Sequence, residues 1–342
     1  MKLEVPTDRC ILGIETSCDE TSAAIFANGK LESVIVSSQF FHNNFGGVVP
    51  ELASRAHLRS IVPIIDEALR QAGRSLSSIE AIAVTNTPGL MGSLLVGLNY
   101  AKGLSSALGL PLIGVHHIEA HIFSALLEDD QPELPFVALV VSGGHTLLVL
   151  VNDIGDYELL GETLDDAAGE AFDKVGKMLG LGYPAGPAID KLAATGNASF
   201  VQFPRAMMNE EHFDFSFSGI KTSVLYWLKK HPALSPEDIP HVAASFQRAV
   251  VDVLVSKTLR AAKEKGARDI VVVGGVSANS ELRATFATKA KSRKLRFFAP
   301  RPLYSTDNAA MIAMLGALKL DRDVTHDLGL RAEPRHPIAH RT

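Results

Sequence analysis

The sequence predicts an α/β protein made of two similar domains. Segments that read as strands alternate with amphipathic helical segments, which indicates α/β layers with mainly parallel pairing. A pattern of two apolar runs around a polar turn occurs at residues 11–26 and again at residues 136–151. The chain has 342 residues, more than a single core usually carries. Together these observations favour an internal duplication.

The first half of the chain opens with ILGIETSCDETSAAIF, which predicts a strand, a tight polar loop and a returning strand. A helix is predicted where Leu58, Ile61, Ile65 and Leu69 recur at helical spacing before Gly73, a residue that commonly ends helices. The remaining predicted strands of this half lie at residues 31–37, 79–85 and 112–115.

The second half repeats this pattern of strand, polar turn and strand in FVALVVSGGHTLLVLV, followed by a strand at residues 157–161. A long helix over residues 245–264 and a strand ending in a glycine turn at residues 269–275 come next. Between the halves, LEDDQPELP combines acids and prolines, as interdomain connections do. The predicted domains are therefore residues 1–134 and 135–317, and a C-terminal helix over about 318–342 is expected to pack back on the first.

Composition excludes several classes of protein. The chain has 33 Lys and Arg against 38 Asp and Glu, a net charge of −5, so binding to nucleic acid must use a local patch or a partner. Residues 283–301 hold seven cations and no acid, which makes them the best patch for phosphates. Two cysteines, no apolar run long enough to span a bilayer and no secretory leader predict a cytoplasmic protein without membrane association.

Three turns of small residues predict a nucleotide site. They lie at residues 17–21, 142–146 and 274–283, each next to an apolar strand. Such turns bring backbone amides close to phosphate oxygens, although a single one is an ordinary hairpin turn in most cases. Two duplicated loops across a cleft, with a third turn for the base, are typical of the actin, sugar-kinase and Hsp70 type of fold.

The segment VHHIEAH predicts a metal site. His117 and His121 are four residues apart and so share one face of a helix, as two ligands of one metal must. A solvated or core histidine pair is the alternative. Asp307 opens a predicted helix and is the candidate third ligand, in a set that suits Fe(II), Zn(II) or Mn(II). The motif differs from the HExxH of metallopeptidases, because Glu119 stands two residues after the first histidine.

Further along the chain, LDDAAGEAFDKVGKMLGLGYPAGPAID predicts a helix followed by a Pro/Gly loop that enters a second helix. The acids at its start suit the dipole of a helix N-terminus. Asp173 lies deeper in the first helix and is a candidate to bind sugar hydroxyls. The loop with Gly186 and Asp190 is expected to pass close to a ligand.

Nine collinear motifs make the sequence similar to the bacterial TsaD (YgjD/Gcp) family, over about residues 11–320. They are GIETSCDETSAAIF, GGVVPELASRAH, PGLMGSLLVG, VHHIEAH, FVALVVSGGHT, the segment from YELLGETLDD to YPAGPAID, FDFSFSGIKT, VVVGGVSANSELR and STDNAAMIA. The resemblance implies a two-domain actin-like (ASKHA) fold of duplicated RNase H-like domains, with a nucleotide and metal cleft between them. It also implies transfer of threonylcarbamoyl from threonylcarbamoyl-AMP to N6 of adenosine 37, in tRNAs that read codons beginning with A.

The same resemblance implies the site residues. The family's metal ligands fall on His117, His121 and Asp307, with Fe(II) the first expectation and Zn(II) the second. An adenylate, either threonylcarbamoyl-AMP or ATP/ADP, is the expected second ligand. The implied substrate-binding residues are Val140, Val141, Ser142, Gly143, Gly144, Asp173, Gly186, Asp190 and Asn279.

The proton acceptor, the alternative functions and the C-terminal tail stay open at this stage. The proton acceptor for the attacking amine is not chosen among Asp19, Glu20 and His145. A nucleotide-switched scaffold of the Hsp70-like class, a metallopeptidase and a sugar kinase are the alternative functions. The resemblance implies a TsaB-like paralogue and a TsaE-like ATPase as partners. The tail after Arg322 matches no motif and is expected to be disordered or to touch tRNA.

Overall fold

The structure, a computed structural model, describes residues 1–45 and 47–339. The chain divides into two units. The N-terminal unit consists of Lys2–Gln131 together with Pro300–Ile338, and the central unit consists of Pro132–Ala299 together with Met1 and Ala339 from the two ends of the described chain. Gly46 of the GGVVPELASRAH motif, and His340 and Arg341 of the tail, lie outside the described residues.

The N-terminal unit has one five-stranded sheet covered by helices, in the strand order β3-β2-β1-β4-β5. Its strands are β1 (Cys10–Glu15), β2 (Glu20–Ala27), β3 (Lys30–Ser38), β4 (Ala81–Thr87) and β5 (Leu112–His116). Its helices are α1 (Pro50–Ala72), α2 (Met91–Leu108), α3 (His117–Phe123), α9 (Pro302–Ser305) and α10 (Ala309–Leu320). The end of α1 is the predicted one, because Gly73 adopts a left-handed conformation with φ of 63°.

The central unit repeats this topology. Its sheet has the order β10-β9-β6-β7-β8, which is the same arrangement read from the other edge. Its strands are β6 (Phe136–Val141), β7 (Thr146–Asp153), β8 (Asp156–Glu162), β9 (Asp269–Val273) and β10 (Arg296–Phe298). Its helices are α4 (Ala168–Met178), α5 (Gly186–Ala193), α6 (Ser218–Lys230), α7 (Ile239–Glu264) and α8 (Ser280–Ser292). The duplication read from the sequence is therefore confirmed.

Strand pairing is mixed rather than mainly parallel, which corrects the sequence expectation. In the N-terminal unit β1 pairs antiparallel with β2 and β2 with β3, whereas β4 pairs parallel with β1 and with β5. The physical reason is the short turn after β1, since a few residues can join neighbouring strands only in antiparallel orientation.

Helix α10 returns to the N-terminal unit and packs on its first strand. A Cβ on Gly13 of β1 would lie 2.6 Å from the carbonyl oxygen of Ala309, and a Cβ on Gly316 would lie 2.4 Å from Cβ of Ala83. Every residue from Ala309 to Leu318 is buried. Residues 300–317 thus belong to the N-terminal unit and not to the second domain, as the sequence-based division had them.

The C-terminal tail is not a helix within the described residues, in contrast to the helix expected over 318–342. Helix α10 ends at Leu320, and Gly329 and Pro334 in the following polar segment disfavour a helical continuation. The tail instead lies against the N-terminal unit. His326 donates its backbone N–H to the carbonyl of Leu112, and Glu333 donates its own to the carbonyl of Asn86. Across the described chain, no helix has both the length and the apolar character needed to span a bilayer.

Candidate functional site

Helix α3 carries the two histidines directly after strand β5. His117 and His121 are both buried, and their rings meet edge to face with centroids 4.6 Å apart. His116 caps the helix, since its Nδ1 accepts the backbone N–H of Ile118. Burial lowers the pKa of His116 to about 4, so its ring is neutral at pH 7 and Nδ1 is free to accept. Its Nε2 donates to the carbonyl of His336 in the tail.

Asp307 reaches the histidines from the segment before α10. Its Oδ1 lies 3.4 Å from Nε2 of His117 and 3.1 Å from Nε2 of His121. One ligand atom from each of the three residues falls within 4.8 Å of the others. The structure therefore brings together the His pair and the aspartate that sequence spacing had proposed.

A buried carboxylate that the sequence analysis missed stands behind His117. Glu15, at the end of β1, is fully buried and accepts a hydrogen bond from Nδ1 of His117 at 3.1 Å. It also accepts from the backbone N–H of Ser17 and from the hydroxyl of Thr85. A carboxylate that holds the far nitrogen of a metal-binding histidine is a common second layer of metal sites. The available signal was an acid at the end of an otherwise apolar strand.

The charges of His117, His121, Asp307 and Glu15 shift one another's pKa values. Burial opposes the charge on Asp307, yet attraction to His117 and hydrogen bonds from both histidines outweigh it and hold its pKa well below the ordinary value. Burial likewise opposes ionisation of Glu15, and His117 keeps the pKa of Glu15 lowered. His117 shows the reverse, with its pKa raised above the ordinary value by Asp307 and Glu15 despite burial. The buried Glu15 and the half-buried Asp307 thus both favour positive charge at this site.

The donor set fits a divalent cation. Two imidazoles and one carboxylate, all from the N-terminal unit, are the ligands that Fe(II), Zn(II) and Mn(II) accept. Nδ1 of His121 is buried and has no hydrogen-bond partner in the described chain, so the surrounding protein does not fully satisfy this ring. The hydrogen bond from His117 to Glu15 makes the surroundings of the cluster polar and preorganised, as a metal site requires.

Two of the three candidate proton acceptors lie where the turn after β1 leads into β2. Asp19 and Glu20 are both half-buried. Burial, together with the charges of Asp307 and Asp19, raises the pKa of Glu20 to about 9. The carboxyl groups of this turn and the His-Asp cluster therefore belong to one electrostatic system within the N-terminal unit.

The third candidate, His145, lies in the loop after β6, within the central unit. Val140 and Val141 end β6 and are fully buried. Gly143 and Gly144 are exposed, and a Cβ on either would enter open space. The loop is braced from behind, because Ser142 donates its N–H to the carbonyl of His145 and accepts that of Gly169.

The other four substrate-binding candidates lie on or next to helices of the central unit: Asp173 within α4, Gly186 and Asp190 in α5, and Asn279 at the start of α8. Asp173 accepts the N–H of Ala185 at 2.8 Å, which ties α4 to the loop before Gly186. Burial raises the pKa of Asp173. Asp190 holds the N–H and hydroxyl of Ser280, and the adjacent Asn279 caps α8 through the N–H of Leu282. Asp190 and Asn279 are thus brought together at the start of α8.

Comparison with known proteins decides the family. The model of the family described as "TsaD: tRNA N6-adenosine threonylcarbamoyltransferase" matches residues 30–314. A relative of that name from Syntrophus aciditrophicus is 51% identical over 331 residues, which cover 96% of this chain and 97% of the relative. One from Chlorobium limicola is 53% identical over 325 residues, covering 91% and 92%. The chain belongs to the tRNA N6-adenosine threonylcarbamoyltransferase family.

Solved structures place this family member among actin-like folds. HypF from T. kodakarensis superposes with a TM-score of 0.62 at 16% identity, over 94% of this chain and 49% of that one. Component A of the (R)-2-hydroxyglutaryl-CoA dehydratase of Acidaminococcus fermentans gives a TM-score of 0.54 at 15% identity, over 92% and 100%. At these identities the likeness concerns the fold alone, which is the two-domain actin-like (ASKHA) fold predicted from the sequence.

The geometry around Glu119 also argues against the metallopeptidase alternative for this transferase family member. Glu119 is buried and its carboxylate lies 2.7 Å from the ammonium group of Lys319 on α10. A carboxylate engaged in a buried ion pair is a structural element and not a base that activates water. The helix thus keeps its two histidines without the acid that peptide hydrolysis on HExxH sites needs.

Proposed function

We propose that this chain transfers the threonylcarbamoyl group of threonylcarbamoyl-AMP to N6 of adenosine 37 in tRNAs that read codons beginning with A. The observation that carries the proposal is the cluster of the buried His117 and His121 with the half-buried Asp307, backed by Glu15. It lies in a chain more than half identical to relatives named for this transfer to tRNA adenosine.

The three clustered residues are proposed to hold one divalent metal, with Fe(II) preferred and Zn(II) second. When bound, such a cation supplies positive charge that stabilises negative oxygen atoms of the carbamoyl or phosphate group. Glu15 fixes the ring of His117 so that its Nε2 points to Asp307. The same carboxylate leaves Nδ1 protonated, because it accepts that hydrogen bond.

The central unit is proposed to bind the adenylate, either the donor itself or ATP/ADP. The open backbone at Gly143 and Gly144 allows phosphate oxygens to approach N–H groups without a side chain in the way. Asp173 and Asp190 offer carboxylate oxygens to ribose hydroxyls, next to Gly186 and Asn279. A mixed anhydride has a good leaving group, so holding the acyl carbon in line with the amine accounts for much of the required acceleration.

The amine proton needs an acceptor during the transfer. Asp19, Glu20 and His145 are the candidates, as they were in the sequence. Single Asp19→Asn, Glu20→Gln and His145→Ala variants, compared by the pH profile of the rate, separate the three.

Partner binding is proposed at the exposed face of α1 and α2. Leu58 and Val62 on α1, and Met91 and Leu95 on α2, leave 41–65% of their surface exposed, while other apolar residues of α1 are buried in the core. An apolar patch shared by two helices suits a helical partner such as the TsaB-like paralogue. A TsaE-like ATPase follows from the family resemblance alone. The tRNA substrate supports a cytoplasmic site of action.

The decisive experiment supplies tRNA and threonylcarbamoyl-AMP to the metal-assayed protein, with and without the two partners. Digestion of the tRNA and mass analysis would reveal N6-threonylcarbamoyladenosine. We expect His117→Ala and Asp307→Ala to lower the yield of modified nucleoside at least about 100-fold and to lose bound metal. His212→Ala, at an exposed histidine of the central unit, is the matched control and should retain both properties.

A wild-type protein that binds metal and tRNA yet never forms the modified nucleoside, even with both partners, would contradict the proposal. In that case the nucleotide-switched scaffold becomes the better account of the fold. Activity that survives Asp307→Ala with metal content unchanged would instead remove Asp307 from the site while keeping the function.

A further inference from the structure

A cavity on the central unit lies among residues that no part of the proposed transfer uses. It has a volume of about 570 Å³ and sits where the end of α6 meets the start of α7. Phe200, Trp227, Lys230, His231 and Asp238 line it. Aromatic, cationic and anionic side chains therefore converge on one surface cavity.

The aromatic wall of the cavity is held in place. The rings of Trp227 and His231 stack with centroids 4.1 Å apart and planes 21° from parallel. Nδ1 of His231 donates to the carbonyl of Trp227 at 2.7 Å, because a carbonyl can only accept. His231 is exposed, so a flat ring of fixed orientation and tautomer faces solvent. Such preorganised rings lose little entropy when a flat ligand stacks on them.

The opposite side of the cavity is braced as well. Phe200 leaves 42% of its surface exposed and meets Trp227 edge to face, with centroids 6.0 Å apart. Its segment is tied to α7, since Asn197 donates its N–H to Nδ1 of His241 and Val201 donates to the hydroxyl of Ser245. An exposed phenylalanine on a braced segment provides a second apolar surface for a ligand.

The polar groups match a nucleotide. Lys230 is exposed and forms no ion pair in the part of the chain that the structure describes. Asp238 presents a carboxylate whose oxygens have no donor within the same described ranges. A lysine suits a phosphate, and a carboxylate suits the amino and imino donors on the Watson–Crick edge of guanine or the amino group of cytosine. Uracil flanks its single donor with two carbonyls that repel a carboxylate.

Two arginines of the basic segment at residues 283–301 are less available to bind tRNA phosphates than the sequence suggested. Arg296 is bound by Asp269 and Glu133, and Arg301 is bound by Glu128. Those guanidinium groups are neutralised within the protein itself. Two of the seven cations of this segment are thus engaged within the protein, and stacking with a local cation is another way to hold an unpaired RNA base.

We propose that the Phe200–Trp227–His231 cavity, with Lys230 and Asp238, binds one unpaired nucleotide of the tRNA substrate, with guanine or cytosine preferred over uracil. The inference rests on the proposed function only for the identity of the RNA. A base stacks on the aromatic wall, its donors face Asp238 and its phosphate faces Lys230.

The chain offers its own probe, because Trp227 is its single tryptophan. Titrating the isolated chain with GMP and with UMP, with excitation at the tryptophan, should show quenching by GMP at a concentration several-fold lower than by UMP. Filter binding of unmodified tRNA to the protein with its partners should weaken about five- to tenfold in His231→Ala and in Lys230→Ala. Lys230→Ala should also flatten the salt dependence of tRNA affinity by roughly one phosphate contact.

Lys263→Ala is the matched control, since it removes an exposed lysine of the same unit outside both the cavity and the basic segment. It should leave quenching and the tRNA affinity of the wild type unchanged. Equal quenching by GMP and UMP, or unaltered tRNA affinity in both cavity variants, would overturn the proposal. A fluorescence change produced by a partner protein and not by tRNA would overturn it in favour of a protein-docking site.

The transfer assay separates this inference from the proposed function. With saturating tRNA, His231→Ala should still form the modified nucleoside, because the cavity residues take no part in the chemistry. Modified nucleoside from all variants, without any loss of tRNA affinity, would remove the cavity proposal and leave the transferase. Weakened tRNA binding in both variants, without modified nucleoside even from the wild type, would keep the cavity proposal and remove the transferase function.

Discussion

At the scale of single residues, Glu15 determines how His117 is presented. Its carboxylate takes three hydrogen bonds from the protein, and one of them fixes the protonated nitrogen of the histidine. The opposite nitrogen then faces Asp307. A side chain outside the proposed ligand set thus orients one that belongs to it.

We expect Glu15→Gln to weaken metal binding about 10- to 100-fold, because the amide is neutral and no longer raises the basicity of His117. Titration of apo-protein with Fe(II) under anaerobic conditions, or with Zn(II), measures the affinity. Thr85→Val is the comparison, since it removes one hydrogen bond from the same carboxylate and keeps its charge. Equal affinities for Glu15→Gln and the wild type would contradict the assigned role of Glu15.

Lys257 on α7 is a single residue whose burial affects the stability of the whole protein. Its side chain is fully buried, and its ammonium group donates to the carbonyl of His212 at 3.0 Å. Burial lowers the pKa of Lys257 from the ordinary 10.5 to about 8. A buried cation without a paired carboxylate costs stability.

We expect Lys257→Met to stabilise the protein at pH 7 by about 1–3 kcal/mol, since it removes a buried charge. The carbonyl of His212 keeps a partner in Arg260. The folded protein binds this proton less tightly than the unfolded chain, so wild-type stability rises between pH 8 and 10.5. The advantage of the variant should therefore be complete below pH 8 and vanish near pH 10.5.

Thermal or urea unfolding of both proteins at pH 7, 9 and 10.5 tests this. A difference in unfolding free energy that stays constant over that range would show that packing, and not charge, separates them. A destabilised variant at pH 7 would show that the hydrogen bond of Lys257 outweighs the cost of its burial.

Sequence reasoning recovered the residues whose spacing carries information and missed those placed by long-range pairing. The four-residue spacing of His117 and His121 fixes a shared helix face whatever the rest of the fold does. The hydrogen bonds of Glu15 depend on the parallel pairing of β1 with β4 and on the start of α3, which local sequence does not encode. Its role was therefore not predictable from one strand.

At the scale of elements, the contact between β1 and α10 sets the position of Asp307. Gly13 allows the helix backbone to lie against the strand, and Asp307 stands two residues before the helix begins. The contact is too close for any side chain at this point of the strand. A change in the distance between strand and helix must therefore move Asp307 relative to the histidines.

We expect Gly13→Ala to destabilise the protein by about 1–3 kcal/mol and to weaken metal binding, because the added methyl group overlaps Ala309 and Ala313. Gly103→Ala, in the middle of α2, is the control. A Cβ there meets nothing within 4 Å, so it should stabilise the protein by about 0.5–1 kcal/mol. Melting curves and metal titration measure both effects, and tight metal binding in a destabilised Gly13→Ala would separate stability from the site.

At the scale of the whole molecule, the N-terminal unit is made from both ends of the chain. The sequence predicted the repeat and a boundary near residue 134 but assigned residues 300–317 to the second domain. The duplicated strands are local patterns, whereas the return of α10 is a packing choice between two similar sheets. An apolar helix such as AAMIAMLGALKL carries no periodicity that says which sheet it covers.

The tail after α10 also contacts the start of α3, the helix that carries His117 and His121. We expect deletion of residues 331–342 to lower the melting temperature and weaken metal binding several-fold, because His116 loses the carbonyl of His336 that holds its ring as the cap of α3. His336→Ala keeps that backbone carbonyl and should behave like the wild type. If the deletion leaves both metal affinity and melting temperature unchanged, the tail has no part in ordering the site.

The separation of His121 and Asp307 by 186 residues has a consequence for synthesis in the cell. A ribosome delivers both histidines long before it delivers the aspartate, and the entire central unit is made in between. During that interval the first sheet lacks the helix that covers it, and the histidines lack the aspartate that completes the proposed metal site. Nascent chains thus cannot complete this site until translation is nearly finished, so we expect truncated products of interrupted translation to lack metal bound by all three residues.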